Sequence, residues 1–178
     1  ATGGTAAIVC FPGIMYRGGA EQKIRKYLID NNFIDCIIQL PSNLFFGTSI
    51  ATCIMVLKKG KSDNKTLFID ARNLGTMVTR KLRELTDGAE GDIMRIANTY
   101  KAFTDGTLAD EKGFCAVVDI AKIAEQDFIL TPGRYVGIAE QEQDAEPFEE
   151  KMQRLTGELA TLFEQSHTLE AEIKKQLE

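Results

Sequence analysis

The sequence predicts an α/β fold: the closing part of an open sheet, then a mixed α/β segment, then one long helix. Three observations carry this. Thr5–Phe11 and Phe33–Leu40 are short, continuous apolar runs closed by Pro12 and Pro41, with a helical pattern between them. Such runs read as strands buried on both faces, as in a parallel sheet. From Phe148 onward, apolar residues recur at alternating spacings of four and three, the seam of a coiled coil or bundle helix. The composition is ordinary for a globular chain, with 44% hydrophobic and 26% charged among 178 residues, enough to bury a core without disulfides.

Each element follows from its residues. Pro12-Gly13 and Arg17-Gly18-Gly19 are turns. Ala20–Asn31 reads as a helix with Ile24, Tyr27, Leu28 and Asn31 toward the core and Lys23 and Lys26 away from it. Ile50–Lys58 and Thr66–Asp70 are further strands. Strand, helix and strand joined by short loops make a right-handed crossover unit. An open sheet of this kind has five or more strands, so residues 1–70 read as the end of one whose front is missing. Residues 71–137 form the mixed segment. Asp92–Phe103 is a helix with Ile93, Ile96, Ala97 and Tyr100 on one face. Thr104–Gly113 is a polar loop, Phe114–Val118 a strand, Asp119–Glu125 a short helix, and Asp127–Gly137 an extended stretch turning at Pro132-Gly133. Residues 138–178 are the helical tail. Pro147 suits a first turn, and the seam runs through Phe148, Met152, Leu155, Leu159, Leu162, Ser166, Leu169, Ile173 and Gln176. Seven of those nine are apolar, and Gly157 weakens the helix by roughly 1 kcal/mol. The seam calls for a cover, either the chain's own sheet domain or a partner.

Charge and special residues narrow the function. Residues 1–60 carry a net +3, 61–137 a net −1 and 138–178 a net −7. The front tolerates a polyanion and the tail repels one, so the tail's partner is not nucleic acid. Four scattered cysteines without a Cys-x-x-Cys pair read as buried, reduced thiols in a cytoplasmic protein. One histidine, His167, is too few for a zinc site or a Ser/His or Cys/His catalytic set. No apolar run approaches the ~20 residues of a membrane span, and no signal peptide is expected. There is no Gly-x-Gly-x-x-Gly and no Walker A pattern. Arg17, Lys23, Arg25 and Lys26 cluster around the start of the first helix, either a phosphate-backbone patch or a solvated face. The loop Leu40-Pro41-Ser42-Asn43-Leu44-Phe45-Phe46-Gly47-Thr48-Ser49-Ile50 follows a strand end, where open α/β sheets form ligand crevices. Of its adjacent phenylalanines, one suits the core and the other a platform for a stacked base.

Several segments together resemble a known family. FPGIMYRGGAEQKIRKYL, IDCIIQLPSNLFFGTSIATCIMVLKK, TLFIDA, DFILTPGRYVG and the EPFEEKMQRLTGELATLF tail are similar, in order, to the modification subunit of type I restriction–modification systems. The resemblance implies a Rossmann-like, S-adenosylmethionine-dependent adenine methyltransferase acting on DNA, with a specificity subunit and a restriction subunit as partners. It implies that Thr5–Phe11 and Phe33–Leu40 are the fifth and sixth strands of that sheet, with Ile50–Lys58 the antiparallel seventh inserted between them. It makes Phe45, Phe46 and Asn43 candidates for the target-base pocket, without choosing between the phenylalanines. Arg17, Lys23, Arg25 and Lys26 become DNA-backbone candidates, and Met152, Leu155, Leu159, Leu162, Leu169 and Ile173 candidates for packing on the specificity subunit. The family's Asn-Pro-Pro-Phe/Tyr motif and cofactor loop are absent from this chain, whose four prolines are never adjacent. The expectation is therefore a C-terminal fragment with no catalytic residue and no metal of its own, binding no cofactor alone and prone to self-association through an open sheet edge. The alternative is a non-catalytic assembly module acting through the tail helix.

Overall fold

A computed structural model of the chain describes residues 3–138 and 148–177. It contains two compact units, Ala1–Glu140 and Gln141–Glu178. In the first, β1 (Thr5–Cys10) leads through a 3-10 turn, Pro12–Met15, into α1 (Ala20–Asp30). Next come β2 (Ile34–Gln39), β3 (Cys53–Lys58) and β4 (Lys65–Asp70), then the two-residue strands β5 (Thr76–Met77) and β6 (Arg83–Glu84). The unit closes with α2 (Asp92–Thr104), β7 (Cys115–Asp119), α3 (Ile120–Glu125) and a second 3-10 turn, Pro132–Arg134. The second unit is α4 (Phe148–Leu177).

Five strands form one sheet in the order β1-β3-β2-β4-β7. β3 is antiparallel to both β1 and β2, so those two run parallel to each other, and β4 is parallel to β2. The inserted antiparallel strand that the resemblance implies is thus present. β7, from the segment after residue 70, adds antiparallel to β4. β2 is buried along its whole length. β1 is not: five of its six residues are exposed. Among the described residues it has one neighbour, β3, and its other edge is open, which departs from the fully buried strand its apolar run predicts.

Side chains alternate across the sheet with the period of a strand. One face gathers Ile37, Met55, Phe68 and Val118 beneath Met15, Ile29, Ile123 and Leu130. The other gathers Cys36, Ile38, Leu67 and Ile69 beneath Ile96, Tyr100 and Phe103 of α2. The stretch 127–137 is a strap over the first face. Leu130 N–H donates to the Met15 carbonyl at 2.9 Å, and the Tyr135 ring stacks on Phe68 at 4.2 Å between centroids.

Two helix faces differ from the sequence reading. α1 buries Arg25 and Ile29 and leaves Ile24 and Tyr27 exposed. On α2, Ile96, Tyr100 and Phe103 pack on the core while Ile93 is exposed. In the first case a hydrogen-bonded cation displaces apolar side chains from the inner face. In the second the contact is rotated toward the helix C-terminus, where Tyr100 finds a buried acceptor. That acceptor is Asp35, at an irregularity in the β2–β3 register between Ile34 and Cys36. Tyr100 Oη donates to Asp35 Oδ2 at 2.6 Å. Lys61 Nζ lies 3.6 Å from Asp35 Oδ1, the two side chains being 2% and 3% exposed. The ammonium also donates to the Ile34 carbonyl at 2.9 Å and to the Lys65 carbonyl.

Cys36, Cys53 and Cys115 are buried and Cys10 is half-buried, all as free thiols. Burial pushes the Cys53 thiol up to about 11 and raises Cys36 and Cys115, so these three behave as small apolar side chains. α4 is one continuous helix through Gly157, with acidic Glu149 and Glu150 in its first turn and Lys174 and Lys175 in its last, matching the helix dipole. Met152, Leu155, Leu159, Leu162, Leu169 and Ile173 are all exposed. Pro147 lies outside the described residues. No described helix is long and apolar enough to cross a membrane.

Candidate functional site

The register brings three strand exits to one edge of the sheet. Cys53 opens β3 and pairs with Cys10 at the end of β1 and with Gln39 at the end of β2. Gln39 in turn pairs with Asp70 at the end of β4. The carboxyl ends of the parallel strands β1, β2 and β4 therefore lie side by side, where open α/β sheets bind ligands. At the β4 exit, Arg72 grips Asp70 with its guanidinium, Nε to Oδ1 at 2.8 Å and Nη2 to Oδ2 at 2.6 Å.

The loop between β2 and β3 rises from the middle of this edge. Its base is closed by Leu40 N–H donating to the Thr52 carbonyl at 2.9 Å. Beside it the Thr52 hydroxyl is buried without a hydrogen-bond partner among the described residues. Asn43 sits at φ +63°, the left-handed conformation that Asn tolerates better than most residues, and so reverses the chain. Leu44 then packs into the core. Phe45 and Thr48 form an isolated bridge, and the Thr48 hydroxyl accepts from Ile50 N–H at 3.1 Å.

This geometry presents both phenylalanines outward, Phe45 46% exposed and Phe46 94% exposed. Leu44, not either ring, is the loop's anchor, which differs from the expectation that one phenylalanine serves the core. Leaving a Phe in water forgoes roughly 1.5–3 kcal/mol of burial. Two adjacent exposed rings at a strand-exit crevice therefore suit contact with something apolar or aromatic.

A second element completes the site and was not foreseen from the sequence. β5 and β6 form a small antiparallel hairpin beside the loop. Arg83 N–H donates to the Asn43 carbonyl at 2.8 Å, and Arg83 Nη1 donates to the Leu74 carbonyl at 2.9 Å. A groove of about 360 Å³ is lined by Phe46, Thr79, Arg80, Lys81 and Leu82. Strands of two residues leave no alternation to read. The available signal was charge: residues 71–85 hold four basic residues and one acidic.

The cation cluster around α1 separates in space. Arg17 and Lys23 are exposed. Lys26 pairs with Asp30 at 2.9 Å and lies over the Phe128 ring at 4.5 Å. Arg25 is 3% exposed. Its guanidinium donates to the carbonyls of Ile14, Arg17 and Phe128 at 2.7–2.9 Å, and burial lowers its basicity. Arg25 therefore ties the first 3-10 turn and the 127–137 strap to α1, and is not available to a backbone phosphate. Arg25→Met should cost about 2–3 kcal/mol in urea unfolding, because carbonyls now served by a cation lose their donor. An unchanged midpoint would contradict this role.

Among the described residues no group of three or more His, Cys, Asp or Glu side chains is placed to hold a metal ion. The chemistry this edge offers is recognition: exposed rings, a hydrogen-bonded loop and a cationic hairpin.

The model of the N-6 DNA methylase family matches residues 1–144. The chain is 46% identical over 159 residues to the type I restriction enzyme HindI methylase subunit of Haemophilus influenzae, covering 88% of this chain and 35% of that protein. It is 35% identical over 184 residues to the type I restriction enzyme MjaIX methylase subunit of Methanocaldococcus jannaschii, covering 100% and 32%. Among solved structures, the methyltransferase subunit of a type I restriction–modification system from Streptococcus thermophilus superposes with a TM-score of 0.68 at 36% identity, over 76% of this chain and 27% of that one. The chain thus spans between a quarter and about a third of the length of these relatives.

Proposed function

The chain belongs to the N-6 DNA methylase family, and from that premise we propose that it is the C-terminal part of the modification subunit of a type I restriction–modification system, an adenine-specific DNA methyltransferase. Its contribution is to the pocket for the flipped adenine and to assembly with a specificity subunit that reads the DNA. The observation that carries this is the loop after β2, fixed at its base and at Asn43 and holding Phe45 and Phe46 outward at the strand-exit edge.

A base must leave the duplex before its exocyclic amine can be methylated, and an aromatic face compensates for the lost stacking. Phe46 offers the more exposed ring and is the better platform. Asn43 shapes the loop through its backbone. Base–aromatic stacking is worth about 1–3 kcal/mol, so Phe46→Ala in the assembled methylase should lower kcat/KM for adenine methylation roughly 10–100-fold. Phe45→Ala should have a smaller effect. Fluorescence of 2-aminopurine at the target position should rise in Phe46→Ala, because the flipped base loses its quenching neighbour. Full activity in both single variants would remove the loop from the pocket.

S-adenosylmethionine is the methyl donor proposed for the whole subunit. The turns at the exits of β1, β2 and β4 hold no Gly-x-Gly cradle. The residues present therefore do not fit the cofactor, and this chain's share lies with the base and with the partner. Losing the residues that position and polarise the amine removes the largest rate terms, so the chain alone is expected to be inactive. The open edge of β1, with exposed Ile8 and Val9, is the surface the rest of such a subunit would cover, and it leaves the isolated chain prone to self-association. The exposed seam of α4 would pack on helices of the specificity subunit, and a restriction subunit would join that assembly in a cytoplasmic enzyme.

A further inference from the structure

We propose that Arg80 and Lys81, at the tip of the β5–β6 hairpin, bind the phosphate backbone of the DNA strand next to the base stacked on Phe46. The proposal deepens the methyltransferase reading and rests on it. Its site differs from the α1 cation cluster singled out in the sequence.

The hairpin tip is built rather than loose. Thr79 Oγ1 accepts from Lys81 N–H at 3.2 Å and from Leu82 N–H at 3.0 Å, and Val78 N–H donates to the Leu82 carbonyl at 2.9 Å. Arg83 fastens the hairpin to the aromatic loop through Asn43. The two elements thus hold a fixed spacing, and Phe46 shares one groove with Arg80 and Lys81.

The cations are also unaccounted for by the fold. Several exposed cations elsewhere are paired: Lys26 with Asp30, Arg72 with Asp70, Arg95 with Glu111. Among the described residues Arg80 and Lys81 have no ion pair, and the nearest acid along the hairpin is Glu84, at its base opposite Thr76. The stretch 71–85 carries a net +3 in a chain of net −5. An exposed ring flanked by two free cations along a groove matches a polyanion with aromatic side groups, the pattern of single-stranded nucleic-acid binding. An acidic protein surface would meet the cations and leave Phe46 unused, so the observations favour DNA.

The test compares the wild-type assembled methylase with Arg80→Ala/Lys81→Ala and Arg80→Glu/Lys81→Glu, titrated by fluorescence anisotropy with a target duplex and a scrambled duplex over a salt series. Each phosphate contact contributes about 0.9 to the slope of log K against log salt. The alanine pair should lower that slope by about 1.8 and weaken both duplexes equally, and the glutamate pair should weaken both further. An unchanged slope in both variants overturns the proposal. So does weakening confined to the target duplex, which would mark a base contact. Adenine methylation by the wild-type assembly is scored separately. Its absence would sink the methyltransferase reading, whereas a methylating wild type with an unchanged slope in the variants would sink the hairpin contact alone.

Discussion

Lys61→Met is expected to destabilise the chain by about 3–5 kcal/mol, read as a lower urea midpoint with an unchanged m-value. Methionine keeps the length of the side chain and removes its charge. Among the described residues the Asp35 carboxylate would then stay buried with Tyr100 as its one remaining side-chain partner, and the Ile34 and Lys65 carbonyls would lose their ammonium donor. Breaking a buried pair costs far more than the pair contributes, because the orphaned charge cannot reach water. The double variant Asp35→Asn/Lys61→Met should therefore recover part of the loss, a coupling that a surface pair would not show. A pH signature accompanies it. Burial lowers the Lys61 ammonium below its ordinary 10.5, so in the alkaline window below 10.5 the unfolded chain holds more protons than the folded one. Stability contributed by this group rises with pH across that window. Lys61→Met should flatten that part of the profile. A loss below 1 kcal/mol, or an unaltered alkaline limb, would show that the pair is solvated.

Leu159→Asp/Leu162→Asp should abolish co-purification with the specificity subunit proposed as the partner of α4, a loss of affinity of at least ~100-fold. The two positions are neighbours on the seam of α4, and each leucine buried against a partner contributes about 1.5–3 kcal/mol. Aspartate forfeits that burial and brings a charge into an apolar contact. Neither residue is packed within the helix itself, both being exposed, so far-UV circular dichroism should be unchanged. Glu164→Ala, on the helix face opposite the seam, should leave co-purification intact. Retained binding by the leucine double variant would move the interface off this helix.

How much of this was legible in the sequence depends on where each residue's energy comes from. Ile34–Gln39 declared itself within the apolar run Phe33–Leu40 because both its faces are covered. Thr5–Cys10 shows the same pattern yet stands exposed, because composition reports what a strand can bury and not which neighbours are at hand. The insertion of β3 between β1 and β2 was not readable from any local pattern and came from family resemblance. Arg25 was misread for a chemical reason: three carbonyls from distant segments converge on it, and none is visible along α1. The site divides the same way. The double phenylalanine announced itself by standing in a polar loop. The hairpin that completes the groove is held by bonds from Arg83 to Asn43 and Leu74, and its own residues signal it through charge alone.

The placement of β3 also orders the folding of the sheet in time. β2 and β3 pair residues as near as Gln39 with Cys53, a closure of modest entropic cost. β1 and β3 pair Cys10 with Cys53 and Thr5 with Lys58, far more distant along the chain. β1 and β2 flank a gap the width of one strand and never touch through hydrogen bonds. Among the described strands β1 has β3 alone to pair with, so its docking on this side waits for the segment up to Lys58. When this chain refolds, β1 is then the later of the two neighbours of β3 to commit, and its slow, non-local docking should set the refolding rate. In that interval the apolar run Ala6–Cys10 is unpaired on both edges, so refolding of this chain carries a window of heightened aggregation risk that narrows when β3 captures one edge.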